Sequence, residues 1–397
     1  MSLTHPRMST IITIAVVFLL VGTFTSVTVQ GGFQVLFAIP LAFYFWRAVG
    51  RDFQLPASSW WMLAFAAVAL ISVLANWSDI PRPTKNLGKV KYFIYASLGI
   101  FPIGVWLKRV SDNTKSRLVI LFALVVFGLG LYCAYQVVIT GRWKARPLTE
   151  TMRYSYGSAM VLVVWLSLFF QKDKFKSWLS TPWSILGIAG LVMSVLFVQA
   201  RGAQGALLLS VPVILFYWNR KAGYAALLLG FLGMGYLTYN YFFKERLASN
   251  IKILKTSQNR SDQTRRSQWL AAIKAIEERP ILGWGHGNFH TQVERIKNQY
   301  DLPRKEYKNN HSHNVLLEVA AGTGIIGMIL FLIAFCTWVW ECWRAGGVIR
   351  AVMMPFFVAV AFEAQFEVIL DANNATWIGF MYAVSLAAQK RYQLVFA

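Results

Sequence analysis

The sequence predicts an all-α polytopic membrane protein with about twelve transmembrane helices. It is read as a single integral-membrane domain over residues 1–397 that carries one large loop at 243–313. Three observations predict this. Of the 397 residues, 56% are apolar and only 14% charged, against roughly 45–50% and about 25% in soluble domains. The charges are clustered, and the runs between them approach the roughly 20 helical residues that cross a bilayer. A backbone surrounded by lipid must satisfy its own hydrogen bonds, which selects helix.

The apolar runs fall at roughly 10–28, 33–49, 60–76, 91–107, 118–139, 154–170, 183–199, 202–218, 222–242, 314–340, 349–369 and 374–389. No small-residue cleavage site follows 10–28, so it is expected to stay as the first span. Cys133, Cys336 and Cys342 lie in or beside spans, and no pair shares a loop, so no structural disulfide is expected. The large loop falls between the ninth and tenth spans. It contains "QTRRSQWLAAIKAIEERP", where Trp269, Ala272, Ile273 and Ile276 recur at helical spacing and predict an amphipathic helix ended by Pro280. "GWGHGNF" follows, with three glycines, and predicts a tight turn.

Lysine and arginine set the orientation, because short cytoplasmic loops carry an excess of them. With the amino terminus inside, sixteen basic residues fall on the cytoplasmic side and nine in short outer loops. Both termini are therefore expected in the cytoplasm and the large loop outside. Eight of the nine lie in 77–91 and 140–153, where insertion does not require them. The large loop holds fourteen more. A basic outer face close to lipid suits a lipid phosphate or pyrophosphate, and nucleic acid is not expected there; a solvated charged face is the alternative.

Several polar residues stand near the membrane. Arg201 follows "SVLFVQA" and opens the next span, and Gly202 beside it suits a sharp turn or a close backbone approach. A guanidinium at that rim can grip a phosphate with two parallel bonds, which an ammonium cannot; it can also merely anchor the span. Glu363 and Glu367 are four apart on one face of the eleventh span and suit a structural ion pair or a polar cavity. Arg265 and Arg266 are read as the first turn of the loop helix, where the dipole disfavours cations and an anionic partner would offset the cost.

Four of the five histidines, His286, His290, His311 and His313, crowd the end of the large loop. They suit structural hydrogen bonds, a weakly specified metal site without cysteine, or a general base kept neutral by neighbouring arginines. His313 sits where a span begins, and a span end is a rigid mount. No metal is expected. There is no phosphate-binding glycine loop of the Walker type, no Gly-x-Ser-x-Gly elbow and no outer aspartate pair. Chemistry away from cytoplasmic ATP and nucleotide sugars fits that absence, and no cofactor is expected.

"RG" at 201–202, "RRSQW" at 265–269, "RPILGWGHGNF" at 279–289 and "HSHNVLLEVAAGTGIIGMILF" at 311–331 resemble the bacterial O-antigen ligase and polymerase superfamily. The shared features are an Arg-x-x-Trp, a Pro-hydrophobic-Leu-Gly-x-Gly turn, and a His-Asn opening a glycine-rich span. One large loop and fewer than 420 residues look most like a ligase. Polymerases typically have two large loops, and the protein O-oligosaccharyltransferases carry an added soluble part. The resemblance implies a GT-C-like glycosyltransferase in the bacterial inner membrane with its site on the periplasmic side. It implies metal-independent, inverting transfer of a glycan from undecaprenyl pyrophosphate to lipid A–core, without ATP. It carries the essential histidine over to His313 and the pyrophosphate-binding arginines to Arg201 and Arg266, with Arg265 as the alternative one residue away. On this reading Lys85, Lys89, Arg142, Lys144 and Arg146 are expected to hold the acceptor's phosphates. A transporter for a lipid-linked oligosaccharide is the rival from another class.

Overall fold

The computed structural model describes residues 6–48, 55–142, 144–148, 151–175, 178–239, 260–302, 311–367, 372–389 and 392. Residues 243–259 and 303–310 of the predicted loop lie outside the described residues, as do Arg51, Lys176, Lys390 and Arg391 of the orientation argument.

The described chain is helical throughout: α1 (Pro6–Thr25), α2 (Val27–Ala48), α3 (Ala57–Ala75), α4 (Pro83–Leu98), α5 (Ile100–Arg109), α6 (Asp112–Val138), α7 (Thr151–Phe170), α8 (Thr181–Val198), α9 (Arg201–Trp218), α10 (Arg220–Tyr239), α11 (Arg260–Glu278), α12 (Phe289–Gln299), α13 (Val315–Ala345), α14 (Gly347–Glu363) and α15 (Ala372–Ala387). Among the described residues, each predicted apolar run is largely helix. By length and composition, seven of these helices can cross a membrane, or up to eight if the bent pair α4–α5 is one span. The difference from twelve has local causes. Run 91–107 breaks into α4 and α5, bent by 46°. Gly99 caps α4 there, and Pro102, lacking an N–H, cannot donate back to the carbonyl of Leu98. α14 and α15 have only 17 and 16 residues. α9 is diluted by Arg201, Gln204 and Pro212.

α7 is the central post, with 72% of its apolar window buried inside the protein. Small residues let the helices approach closely, as in membrane bundles generally. Gly130 of α6 meets Gly190 of α8 backbone to backbone. Gly22 of α1 does the same against Gln30 of α2. α3 packs along both α4 and α13, and α14 packs against α7 and α9. A second, smaller core lies in the loop region: Ala271, Ala272, Ala275, Trp284, Phe289, Val293, Ile296 and Ala321.

That smaller core corrects the expected face of the loop helix. α11 buries its alanines, while Trp269 and Ile273 are 36% and 42% exposed. The alanines face α12 and α13, Ile276 packs half-buried beside them, and Trp269 and Ile273 turn outward. α11 also begins at Arg260. Arg265 and Arg266 therefore stand in its second turn, and the dipole argument does not apply to them.

The glycine-rich turn is seated in a break of α13. Gly324 has φ 71° and ψ −177°, which interrupts the helix. The Ile325 N–H donates to Pro280 O at 2.8 Å, and the Trp284 N–H donates to Ala321 O at 2.9 Å. Backbone groups that the kink frees are thus taken up by the turn. A Cβ on Gly283 would stand 2.6 Å from Gly322 C, and one on Gly324 would collide with Ile281 O. The turn is also sewn to α3: the His286 N–H donates to Ser72 Oγ at 3.1 Å, and Asn76 Nδ2 donates to Gly283 O at 3.2 Å. Arg279 bridges to Asp79 at 2.8 Å and stacks on Trp284, whose ring Arg295 also approaches.

Gly324→Ala is expected to destabilise this joint by about 2 kcal/mol or more, through both the left-handed φ and the collision. Thermal melts and limited proteolysis within 279–289 would test it. A melting temperature and cleavage pattern equal to wild type would contradict it.

Candidate active site

His313 ends the loop just before α13. Asn314 caps that helix, its side chain accepting from the Leu317 N–H at 3.1 Å. His313 has φ 50°, a left-handed conformation that a non-glycine residue adopts at some cost in energy. Three contacts hold it across to the end of α14. The Val315 N–H donates to Ala364 O at 2.9 Å. Asn314 Nδ2 donates to Gln365 Oε1 at 3.2 Å. His313 Nδ1 lies 3.1 and 3.2 Å from the two carboxylate oxygens of Glu367. The two side chains are only 14% and 18% exposed. Glu367 sits in the turn after α14, where its N–H still donates to Glu363 O at 3.0 Å. Glu363 is fully buried, and among the described residues neither carboxylate oxygen has a hydrogen-bond partner.

Tyr156 of α7 ties this clasp to two of the predicted arginine positions. Its ring lies against Gly202, where an added Cβ would stand 2.6 Å from the phenol oxygen. Gly202 therefore serves close approach. The sharp turn between α8 and α9 falls on Gln199, with φ 56°, and Arg201 is the exposed first residue of α9. Glu363, Glu367 and Arg265 all reach Tyr156 electrostatically. Arg265 also lies over the ring of Phe366, 6.0 Å from its centroid, next to Glu367. Arg266 is exposed, on the same face of α11 as Trp269, Leu270 and Ile273. The adjacent arginines thus separate: Arg265 is turned toward the histidine clasp and Arg266 outward.

The predicted basic loops flank these elements. Loop 140–148 is held by Gln136, which accepts from Arg142 Nη1 at 3.0 Å and the Arg146 N–H at 2.8 Å and donates to Arg146 O at 2.8 Å. The Ala145 N–H donates to Phe197 O at 2.9 Å, fixing that loop beside the α8–α9 turn. Arg142 and Arg146 are exposed and Lys144 half-buried. Lys85 is exposed at the start of α4. Lys89 instead turns inward, donating to Gly287 O at 2.9 Å.

The remaining histidines do not join His313. His311 Nδ1 lies 3.4 Å from Glu318, whose other oxygen accepts the Ser312 N–H at 3.0 Å. That hydrogen bond raises His311 above the ordinary imidazole range. The His290 ring lies 5.6 Å from that of His311, and burial lowers its affinity for protons, with Lys89 and His311 adding to the effect. His286 is buried against Phe65 and Phe93, and burial pushes its pKa down to about 4. Among the described residues, no three His, Cys, Asp or Glu side chains converge as metal ligands would.

An apolar cavity of about 200 Å³ opens directly behind the clasp. Val315, Leu316, Ala364 and Gln365 line it, and it continues to Phe335, Trp338 and Tyr382. Sequence reasoning did not find this cavity, Tyr156 or the role of Glu367. His313 and Glu367 are 54 positions apart, and no local pattern joins them.

The fold and site define a multi-pass helical membrane protein in which a histidine clasped by a carboxylate stands beside an apolar cavity, with Arg265 over the neighbouring Phe366. Residues 185–332, from α8 to the middle of α13, match the family model described as O-antigen ligase. That match covers the stretch containing Arg201, Arg265, Arg266 and His313, and is consistent with the resemblance drawn from the motifs. Members of that family are glycosyltransferase-like ligases and polymerases. An uncharacterized protein of Haemophilus influenzae (strain ATCC 51907 / DSM 11121 / KW20 / Rd) is 24% identical over 289 residues, which covers 68% of each chain.

His286 predicts an acid limit to stability. Its folded pKa lies below the unfolded 6.5, so the unfolded chain binds the proton more readily. Its contribution is complete above 6.5 and is lost as the pH falls toward about 4. His311 has the opposite sign, its contribution being present below 6.5 and lost as the pH rises past its raised folded value. The wild type is expected to melt several degrees lower at about pH 5 than at about pH 7.5, and His286→Leu to remove most of that difference. An undiminished acid shift in the variant would contradict the assignment.

Proposed function

We propose that the protein is an O-antigen ligase of the bacterial inner membrane. It takes a polysaccharide from undecaprenyl pyrophosphate and joins it to a hydroxyl of lipid A–core on the periplasmic side, by metal-independent inverting transfer. The observation that carries the reading is the position of His313: clasped by Glu367, near Arg265, and at the rim of a cavity suited to an apolar chain. A prenyl chain in the cavity would leave its pyrophosphate at the rim. Arg201 and Arg265 would bind that pyrophosphate and stabilise the charge that grows as the glycosidic bond breaks. His313 would take the proton of the acceptor hydroxyl, or orient that hydroxyl, for attack on the anomeric carbon. Pyrophosphate is a good leaving group, so no general acid is needed. Lys85, Arg142, Lys144 and Arg146 would meet acceptor phosphates, whereas Lys89 donates to the turn at Gly287 O.

With donor and acceptor lipids supplied to the reconstituted protein, His313→Ala is expected to reduce transfer by about 10²- to 10⁴-fold. Arg201→Lys and Arg265→Lys are each expected to lose about 10²- to 10³-fold, because a point charge does not replace a planar fork. Arg266→Lys should stay within about threefold, its side chain facing away. EDTA and the omission of ATP should leave the rate unchanged. Near wild-type transfer by His313→Ala would remove its role. A longer polymer still on the prenyl lipid would make the protein a polymerase. Movement of the lipid across the membrane without a new covalent product would make it a transporter.

A further inference from the structure

The residue that holds His313 is chosen by geometry rather than by sequence proximity. Both Glu367 oxygens face Nδ1, at 3.1 and 3.2 Å, in a mostly buried pair. An ionised carboxylate has only acceptor sites, so the proton between them belongs to Nδ1. In the neutral imidazole, Nε2 is then the nitrogen without a proton and can accept. Three links between 313–315 and 364–367 keep the two segments in register, and His313 is held in left-handed backbone while they do so. Such backbone persists only where the surroundings over-determine it. The charged and titratable groups around the clasp are Tyr156 on α7, Glu363 on α14, Arg265 on α11 and His311 in the segment before α13, which Glu367 reaches electrostatically.

We propose that Glu367 is the positioning residue of His313, fixing the Nδ1–H tautomer and aiming Nε2 at the acceptor hydroxyl. This rests on the transferase reading above. In the step, Nε2 takes the hydroxyl proton as the acceptor oxygen bonds to the anomeric carbon. The bond from that carbon to the pyrophosphate oxygen breaks, and its electron pair leaves with the pyrophosphate. Glu367 stabilises the imidazolium formed, which then returns its proton to water.

The test has two arms on the full-length protein in lipid nanodiscs. The first reads the ring nitrogens by ¹⁵N NMR, with five histidines to resolve and His313→Asn to assign the signal. The wild type should show protonated Nδ1 and unprotonated Nε2 at His313. Glu367→Met, which offers no acceptor, should lose that preference. A wild-type Nε2–H tautomer, or an unchanged spectrum in Glu367→Met, would overturn the proposal. The second arm measures transfer. Glu367→Gln should lower kcat by about 10- to 100-fold with KM for both lipids within about twofold, and Glu367→Asp should recover part of the loss. A loss confined to KM, or to thermal stability, would mean a merely structural contact. Should the wild type transfer nothing, the ligase reading fails, and the tautomer arm still decides whether Glu367 sets His313.

Discussion

The structure depends on one joint, where the turn 279–288 replaces the helical hydrogen bonds of α13 around Gly324. Two main-chain bonds make it, Ile325 N–H to Pro280 O and Trp284 N–H to Ala321 O. Unpaired backbone groups are costly at any buried position, so a helix broken here requires an insert of fixed shape. Glycines at 283, 322 and 324 provide the space on both sides. The joint fixes the loop region to α3 and α13 together, and α13 begins with the segment that presents His313. A glycine-rich turn and a glycine-rich span, separate in sequence, are two halves of one contact.

The electrostatics of the site follow from that mount. Burial works against the charged form of His286, whereas a buried carboxylate raises His311. The imidazoles of one short stretch are therefore given opposite protonation tendencies by neighbours a few residues apart. Lys89, inserted between them, spends its charge inside the joint. Beside the cavity stands His313 with Glu367, while Arg265 of α11 lies over Phe366 and Arg201 is exposed at the start of α9. A histidine with an accepting nitrogen beside fixed guanidinium groups suits chemistry that removes a proton at one end of a bond and gathers negative charge at the other.

Much of this was legible in the sequence. Long apolar runs specify helix because lipid leaves the backbone no other partner, and the described parts of the twelve runs are largely helical. Their crossing of the membrane was less legible, because Gly99 with Pro102 bends one run and others are short or diluted by polar residues. His313 and the arginines could be picked out by residue type and position. The exposed face of α11 could not: periodicity marks apolar residues at helical spacing, but the choice between Ala272 with Ala275 and Trp269 with Ile273 depends on how closely α12 and α13 approach. Glu367 was visible as a carboxylate near the membrane, yet its partner lies 54 residues away. Such a pairing follows from the packing of α13 against α14, which no local pattern encodes. The separation of Arg265 from Arg266 is of the same kind, set by which side of α11 meets Phe366.

The central claim is that the rim of the cavity is where a pyrophosphate is held for attack under His313. The most direct measurement is a structure of the protein with a non-hydrolysable polyprenyl-pyrophosphate sugar bound. The expected result is the prenyl chain against Phe335 and Trp338, the phosphates on the guanidinium groups of Arg201 and Arg265, and the anomeric carbon on the Nε2 side of His313. A pyrophosphate bound elsewhere, with His313 turned away from the sugar, would contradict it.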